Sequence, residues 1–273
     1  MGEIVENFGG FYRALSSDRQ FCWFMWKLLV DTVAKQLLFC MDFRYITDVL
    51  TDGGACEILQ NGLLGKKERE QQMLKHGYLT YTRSCAWLGY SHQQLKQALR
   101  KGWTMFKVKV GADLQDDICR RRFVRKMIGA DKITMLDANQ QWEIKEAIEW
   151  VTKPAEFKPL WIKEPAFPDE GMHIQRGHAT ISKALELLGI GVATREHCHN
   201  RVIFKQFLQA KALSYLQIGS SRLGSVNENL SVLLMAKKFQ SKSGLGDLCE
   251  LVQHLIIFHY IPVSESLESK LIM

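Results

Sequence analysis

The sequence predicts an α/β protein whose main part is an incomplete (β/α)8 barrel, and three observations support this prediction. From about residue 79 onward, short apolar runs alternate with amphipathic helical patterns, as in consecutive βα units of a parallel sheet. The alternation gives six strand–helix steps and then falters, although a closed barrel needs eight strands. Charged residues stand at the ends of successive predicted strands, where a parallel barrel opens onto a site.

The predicted strands are short apolar runs rich in β-branched and aromatic residues. They cover residues 79–87, 105–110, 133–136, 160–162, 191–194 and 215–218. The predicted helices between and after them cover residues 91–101, 114–128, 144–152, 179–188, 202–212 and 225–239. Gly102 and Gly129 mark the C-terminal ends of the first two helices, and Pro165 ends the fourth strand.

The pattern is weaker at both ends of the chain. Residues 240–246 contain no strand-like run, a helix is predicted over residues 248–260, and Pro262 weakens a strand candidate at residues 261–264. Residues 8–39 are aromatic-rich and helical in pattern. We therefore divide the chain into an N-terminal segment, residues 1–78, and an incomplete barrel domain, residues 79–273.

Composition is that of a soluble globular protein, with 47% hydrophobic and 24% charged residues. No apolar run reaches the roughly 18 residues that a membrane span needs, so no membrane interaction is predicted. The first residues are acidic and lack a basic segment, so no targeting signal is visible. The seven cysteines form no CxxC pair and are predicted to be free thiols in a reducing compartment.

The net charge of +7 raises the possibility of a nucleic-acid partner. The basic residues are dispersed, however, and the densest cluster consists of Arg120, Arg121, Arg122, Arg125 and Lys126. Its helical spacing beside two aspartates favours a solvated helix face over a phosphate-binding patch. No nucleic-acid partner is therefore predicted.

The candidate site begins with two lysines on one predicted strand. Lys107 and Lys109 are two residues apart and so point to the same face. Asp137 closes the next strand, one βα unit later, and Asn139 follows it. From about residue 8 to residue 268, this pattern resembles the enolase superfamily in its mandelate racemase-like branch.

The resemblance implies removal of the proton next to a substrate carboxylate, with Mg²⁺ stabilising the enediolate. It places Lys107 against the substrate carboxylate and makes Lys109 the catalytic base. It makes Asp137 and Glu196 metal ligands, with Asn139 as a supporting substrate contact. Glu268 matches a residue that contacts the substrate, although an ordinary solvated glutamate is the preferred interpretation so near a chain end.

The sequence departs from the family at several positions. Lys163 stands where the second carboxylate ligand is expected, and Arg195 replaces a glycine beside Glu196. Gly219 replaces the aspartate that orients a catalytic histidine, and residues 241–247 contain no histidine at all. An ammonium group beside a divalent metal repels it, so Mg²⁺ binding is expected to be weakened.

The resemblance implies an enolase-type barrel with a vestigial N-terminal α+β capping segment, a family segment being absent between Phe24 and Met25. It further implies dehydration of an acid sugar such as L-fuconate, a mitochondrial or cytoplasmic location and a possible homo-oligomer. We expect impaired catalysis, because the His–Asp pair and one metal ligand are lost. The alternative is a degenerate, non-catalytic paralogue that acts, if at all, as a protein or nucleic-acid interaction module.

Overall fold

A computed structural model of the chain describes residues 41–68, 92–153, 155–167, 174–194, 197–219 and 226–239, together with residues 38, 71, 75, 223, 242 and 243. The chain divides into two compact units. The first contains the described residues among 80–197 and 206–216, and the second contains those among 1–79, 198–205 and 217–273. The predicted division at residue 79 into a capping remnant and a barrel domain stays a prediction.

The first unit is built on parallel strands that pair in chain order. They are β1, Met105–Lys109; β2, Ile133–Asp137; β3, Trp161–Lys163; β4, Gly191–Thr194; and β5, Tyr215–Leu216. Each strand pairs in parallel with the next. This order, with a helix after each strand, is that of consecutive βα units in a barrel wall. The prediction of an α/β fold with a parallel sheet is confirmed.

The helices agree with the apolar periodicity of the sequence. They are α1, Asp52–Asn61; α2, His92–Arg100; α3, Leu114–Ile128; α4, Ile144–Thr152; α5, Ile174–Glu186; α6, Arg201–Gln209; and α7, Val226–Lys238. Helices α3 and α4 match their predicted bounds, whereas α5 begins five residues before its predicted start at residue 179. Gly177 obscured that start, because glycine is a poor helix former. A Cβ at Gly177 would lie 3.3 Å from Ile144, so this glycine allows α5 to pack closely on α4.

The strands of the first unit are buried on both faces, as expected for a parallel sheet covered by helices. Phe106, Met135, Trp161, Ile162 and Val192 are all inaccessible to solvent. Burial of side chains of this size stabilises the unit by roughly 1.5–3 kcal/mol each. The sheet is therefore a rigid support for polar groups at its carboxyl end.

The prediction that the arginine-rich cluster of α3 lies on a solvated face is wrong for several of its members. Arg121 is 4% exposed, and its guanidinium lies 5.3 Å from the centre of the Phe157 ring. Arg125 donates to three main-chain carbonyl oxygens, including that of Phe157. A guanidinium has five donors on an apolar stem, so it can be buried where carbonyl groups converge. Arg122 and Lys126 are exposed, as predicted.

In the second unit, ion pairs join the segment around residue 42 to the starts of α6 and α7. Arg201 pairs with Asp42 at 3.3 Å and also with Glu228. The main-chain N–H of Asp42 donates to the Asn227 side chain at 2.7 Å. These contacts link residues far apart in the chain and so fix the position of the segment within this unit.

The prediction that residues 240–246 contain no strand is also wrong. A two-residue strand, β6, spans Lys242–Ser243 after helix α7. A strand is defined by main-chain hydrogen bonds, which polar residues make as well as apolar ones, so the lack of an apolar run did not exclude it.

Several predicted elements lie outside the described residues. They are the strands at residues 79–87 and 261–264, the helical stretch at residues 248–260 and, apart from residue 38, the helical stretch at residues 8–39. Cys56, Cys119 and Cys198 are free thiols, as predicted. In the part of the chain that the structure describes, no helix has the length and apolar character needed to cross a membrane.

Candidate active site

Strand register brings three predicted site positions to one level of the sheet. Lys109 is the pairing partner of Asp137, and Asp137 is the pairing partner of Lys163. Residues in register on neighbouring parallel strands point to the same face, and Lys107 shares that face because it lies two residues before Lys109. The sheet itself therefore assembles a cluster of three lysines around one aspartate.

Asp137 lies at the centre of this cluster and is completely buried. Its Oδ2 atom accepts from Lys109 Nζ at 2.7 Å and from Lys107 Nζ at 2.9 Å. Lys163 Nζ is 3.6 Å from the same oxygen. Lys109 also donates to the Asn139 side chain. The structure thus brings Lys107, Lys109, Asp137, Asn139 and Lys163 together, as their positions in the sequence predicted.

The charge state of Asp137 follows from these neighbours. Burial raises the pKa of the carboxyl, but the charges of Lys163, Lys107 and Lys109 outweigh that effect and lower the pKa to about 2. Asp137 is therefore a carboxylate at neutral pH. Burial lowers the pKa of Lys107, and the neighbouring Asp137 opposes that change.

Glu164, which follows β3 directly, was not predicted to belong to the site. Its side chain is 2% exposed, and its Oε2 atom lies 3.8 Å from Lys163 Nζ and 3.3 Å from Gln140 Nε2. Its only sequence signal was the Glu-Pro pair at a strand end. The Lys163 ammonium consequently lies between two buried carboxylates.

The backbone is strained where β2 and β3 end. Asn139, Gln140 and Glu164 have φ values of 49°, 64° and 43°, in the left-handed region that residues other than glycine seldom adopt. The N–H of Gln140 donates to the carbonyl oxygen of Glu164 at 2.8 Å, which ties the two strained turns together. Such strain is typical of functional sites.

The described residues do not fit a magnesium ion. Mg²⁺ demands oxygen ligands at about 2.0–2.1 Å in octahedral geometry. Asp137 instead shares one oxygen among three ammonium groups, and one of these, Lys163, holds a predicted ligand position. Among the residues that the structure describes, no group of three or more His, Cys, Asp or Glu side chains could hold a metal ion.

The remaining predicted site residues are Glu196, Arg195, Glu268 and Gly219. Glu196, its neighbour Arg195, and Glu268 lie outside the described residues, so their roles stay predictions. Gly219 is buried and, being glycine, supplies no carboxylate.

A cavity of about 540 Å³ lies at the carboxyl ends of β1 and β2. Its lining consists of Lys109, Val110, Gly111, Ala112, Arg120, Ala138, Asn139 and Gln141. Gly111 has φ +117° and lies against Gln141, where a Cβ would come within 2.9 Å of Cγ. Arg120 donates to the carbonyl oxygen of Lys109 at 3.1 Å and pairs with Asp116 and Asp117. The cavity is of a size that takes a small ligand.

Comparison with known proteins identifies close relatives. The sequence model of the enolase C-terminal domain-like family matches residues 91–272. The chain is 59% identical over 309 residues to mitochondrial enolase superfamily member 1 of Bos taurus, in an alignment that covers 99% of this chain and 69% of the relative. The alignment is longer than the 273-residue chain, so the relative contains segments that this chain lacks. L-galactonate dehydratase of Hypocrea jecorina is 42% identical over 255 residues, covering 89% of this chain and 56% of the relative.

Solved structures give the same result. The crystal structure of human mitochondrial enolase superfamily member 1 superposes with a TM-score of 0.83 and 57% identity, covering 98% of this chain and 68% of that one. An L-talarate dehydratase from Polaromonas sp. JS666, solved with Mg and L-glucarate, has a TM-score of 0.59 and 24% identity, covering 77% of this chain and 58% of that one. At that identity the likeness is one of fold.

Proposed function

The chain belongs to the enolase superfamily, with an enolase C-terminal domain-like region, and from this premise we propose that it is an acid-sugar dehydratase-like protein in which dehydration of L-fuconate is strongly impaired. Its relatives include an L-galactonate dehydratase at 42% identity, which supports an acid sugar as the substrate class. The lysines predicted to bind and deprotonate such a substrate, Lys107 and Lys109, both contact Asp137.

The observation that carries the proposal is the position of Lys163. Its ammonium group lies 3.6 Å from Asp137 Oδ2, on the strand where the resemblance places a carboxylate ligand. Loss of an α-proton beside a carboxylate gives a dianionic enediolate, which needs strong electrostatic stabilisation. An ammonium carries half the charge of Mg²⁺ and would therefore stabilise such a dianion less. The intermediate is therefore expected to form rarely.

The leaving hydroxide is a second obstacle. Dehydration needs a general acid that protonates the leaving hydroxide. The resemblance assigns that role to a histidine oriented by an aspartate. Gly219 replaces the aspartate, and residues 241–247 contain no histidine. Exchange of the α-proton with solvent needs one base only, so Lys109 is expected to support slow exchange without dehydration.

The test combines two measurements on the purified chain with L-fuconate and Mg²⁺. We expect no 2-keto-3-deoxy acid above the level given by Lys109→Met. Proton NMR in D2O should show slow loss of the α-proton signal, and Lys109→Met should abolish that loss. Formation of keto acid at an ordinary turnover rate, about 1 s⁻¹ or more, would overturn the proposed impairment.

Location and assembly are part of the same proposal. Close relatives carry the name mitochondrial enolase superfamily member 1, which supports a mitochondrial rather than a cytoplasmic location. We propose that the chain binds an acid sugar and forms a homo-oligomer. The alternative of an interaction module stays a prediction that rests on net charge.

A further inference from the structure

Helix α3 holds the loop that follows Lys109 through two side chains of its first two turns, Asp117 and Arg120. The Asp117 side chain is buried, and its Oδ2 atom accepts from the main-chain N–H of Gly111 at 2.7 Å. Arg120 pairs with Oδ1 of the same carboxylate and donates from Nη1 to the carbonyl oxygen of Lys109 at 3.1 Å. The two side chains therefore span the loop from the last residue of β1 to Gly111.

The peptide group between Lys109 and Val110 is held from both sides. Its carbonyl oxygen accepts from Arg120 of α3, and its N–H donates to the carbonyl oxygen of Asp137 in β2 at 3.1 Å. The main chain is thus fixed at the point from which the Lys109 side chain extends. That side chain donates to Asp137 Oδ2 and to Asn139, so the position of its ammonium group depends on where the main chain is held.

A role in starting helix α3 does not account for Asp117. The N-cap of α3 is Asp113, whose side chain accepts from the N–H of Asp116 at 2.8 Å. A buried carboxylate is costly unless hydrogen bonds and opposite charge compensate it. The groups that compensate Asp117 are the Gly111 N–H and the Arg120 guanidinium. The carboxylate therefore ties α3 to the loop after β1 rather than capping the helix.

We propose that Asp117 is a positioning residue for Lys109: with Arg120 it holds the loop between β1 and α3 so that the Lys109 ammonium stays at the cavity, in place to act on a substrate α-proton. The inference rests on the proposed role of Lys109 as the base. A displacement of a reacting group by about 1 Å can lower a rate by roughly 100-fold. Arg120 lines the cavity and Asp117 does not, so loss of Asp117 removes no group of the cavity lining.

The first measurement is the rate of α-proton exchange of L-fuconate in D2O, followed by proton NMR over a range of L-fuconate concentrations. Asp117→Ala removes both contacts, and Asp117→Asn keeps an oxygen for Gly111 but loses the charge that pairs with Arg120. Asp116→Asn is the matched control, because Asp116 is the neighbouring residue of α3, is 48% exposed and also pairs with Arg120. Each rate is divided by the folded fraction, which circular dichroism measures.

We expect Asp117→Ala to lower the exchange rate at saturating L-fuconate at least about tenfold, and Asp117→Asn to lower it by a smaller factor. KM should change little, because Asp117 does not line the cavity. Asp116→Asn should exchange as the unmodified chain does. An unchanged saturating rate in the folded variants, or a change confined to KM, overturns the inference, because a contribution to stability alone lowers the amount of folded protein and not its rate. If Asp117→Ala does not fold, Asp117→Asn alone decides.

The second measurement needs no turnover. Acetic anhydride acetylates lysine side chains, and mass spectrometry gives the extent of reaction at each position. Relative to the exposed Lys153, Lys109 should react at least about twofold faster in the Asp117 variants than in the unmodified chain or Asp116→Asn, the equivalent of one weakened hydrogen bond. Unchanged acetylation of Lys109 overturns the inference even where the exchange rate falls, because the ammonium would then not have moved. An unmodified chain without any α-proton exchange contradicts the proposed function, and acetylation then decides this inference by itself.

Discussion

Asp137 contacts three ammonium groups at one point of the sheet, so its removal should be costly. We predict that Asp137→Asn lowers the free energy of unfolding by about 3–5 kcal/mol, because it removes the buried carboxylate that all three ammonium groups share. Urea denaturation at pH 7 measures this. The control is Asp131→Asn: Asp131 is 74% exposed and pairs with Lys132, so its loss should change the stability far less. Equal effects of the two variants would contradict the prediction.

The effect of Asp137→Asn also depends on pH, with a sign set by the direction of the pKa shift. The pKa of Asp137 in the folded chain, about 2, lies below its ordinary value of 3.8. A group with a lowered pKa stabilises the folded state above its ordinary pKa and loses that contribution as the pH falls toward the folded value. The stability difference between the unmodified chain and Asp137→Asn should therefore be full above about pH 4 and shrink toward pH 2. A difference that stays constant over that range would be inconsistent with the lysines as its cause.

At the scale of single elements, the sequence predicted best those features that depend on local side-chain pattern, such as which residues share a face of the sheet. Two lysines with a spacing of two, and an aspartate one βα unit later, were enough to predict a shared site, because strand alternation and parallel register place them on one face. The burial of Arg121 and the carbonyl contacts of Arg125 were not predictable in this way. They depend on where distant carbonyl groups converge, and helical spacing does not encode that.

Strand β6 is a second feature that side-chain pattern could not predict. Lys242–Ser243 is polar, and its strand conformation depends on main-chain pairing rather than on side-chain pattern. The position of Glu164 beside Lys163 was likewise not predictable, because it depends on a strained turn with positive φ at Glu164. Sequence pattern therefore predicted the site's central charges, whereas tertiary packing supplied its supporting groups.

The loop between β1 and α3 depends on a single glycine. Gly111→Ala should destabilise the chain by about 1–2 kcal/mol, because alanine is strained at φ +117° and its Cβ would lie 2.9 Å from Gln141 Cγ. Gly53→Ala in α1 is the matched control, since a Cβ there meets nothing within 4 Å. That change should be neutral or stabilise by up to about 1 kcal/mol. Urea denaturation of both variants gives the two signs, and a stabilised Gly111→Ala chain would refute this account of the loop.

For the whole molecule, the position of Lys163 predicts how stability responds to metal. An ion that binds only the folded state raises the midpoint of thermal unfolding according to its concentration and affinity. Because the Lys163 ammonium lies 3.6 Å from Asp137 Oδ2, we expect Mg²⁺ up to about 5 mM to raise the midpoint no more than NaCl of equal ionic strength does. Lys163→Glu removes that cation and supplies an oxygen ligand, so its midpoint should rise with Mg²⁺. A saturable rise of the midpoint in the unmodified chain that disappears in Asp137→Ala would show that Mg²⁺ binds beside Lys163 after all. A Lys163→Glu chain whose midpoint does not change with Mg²⁺ would show that this lysine alone does not account for the lost metal site.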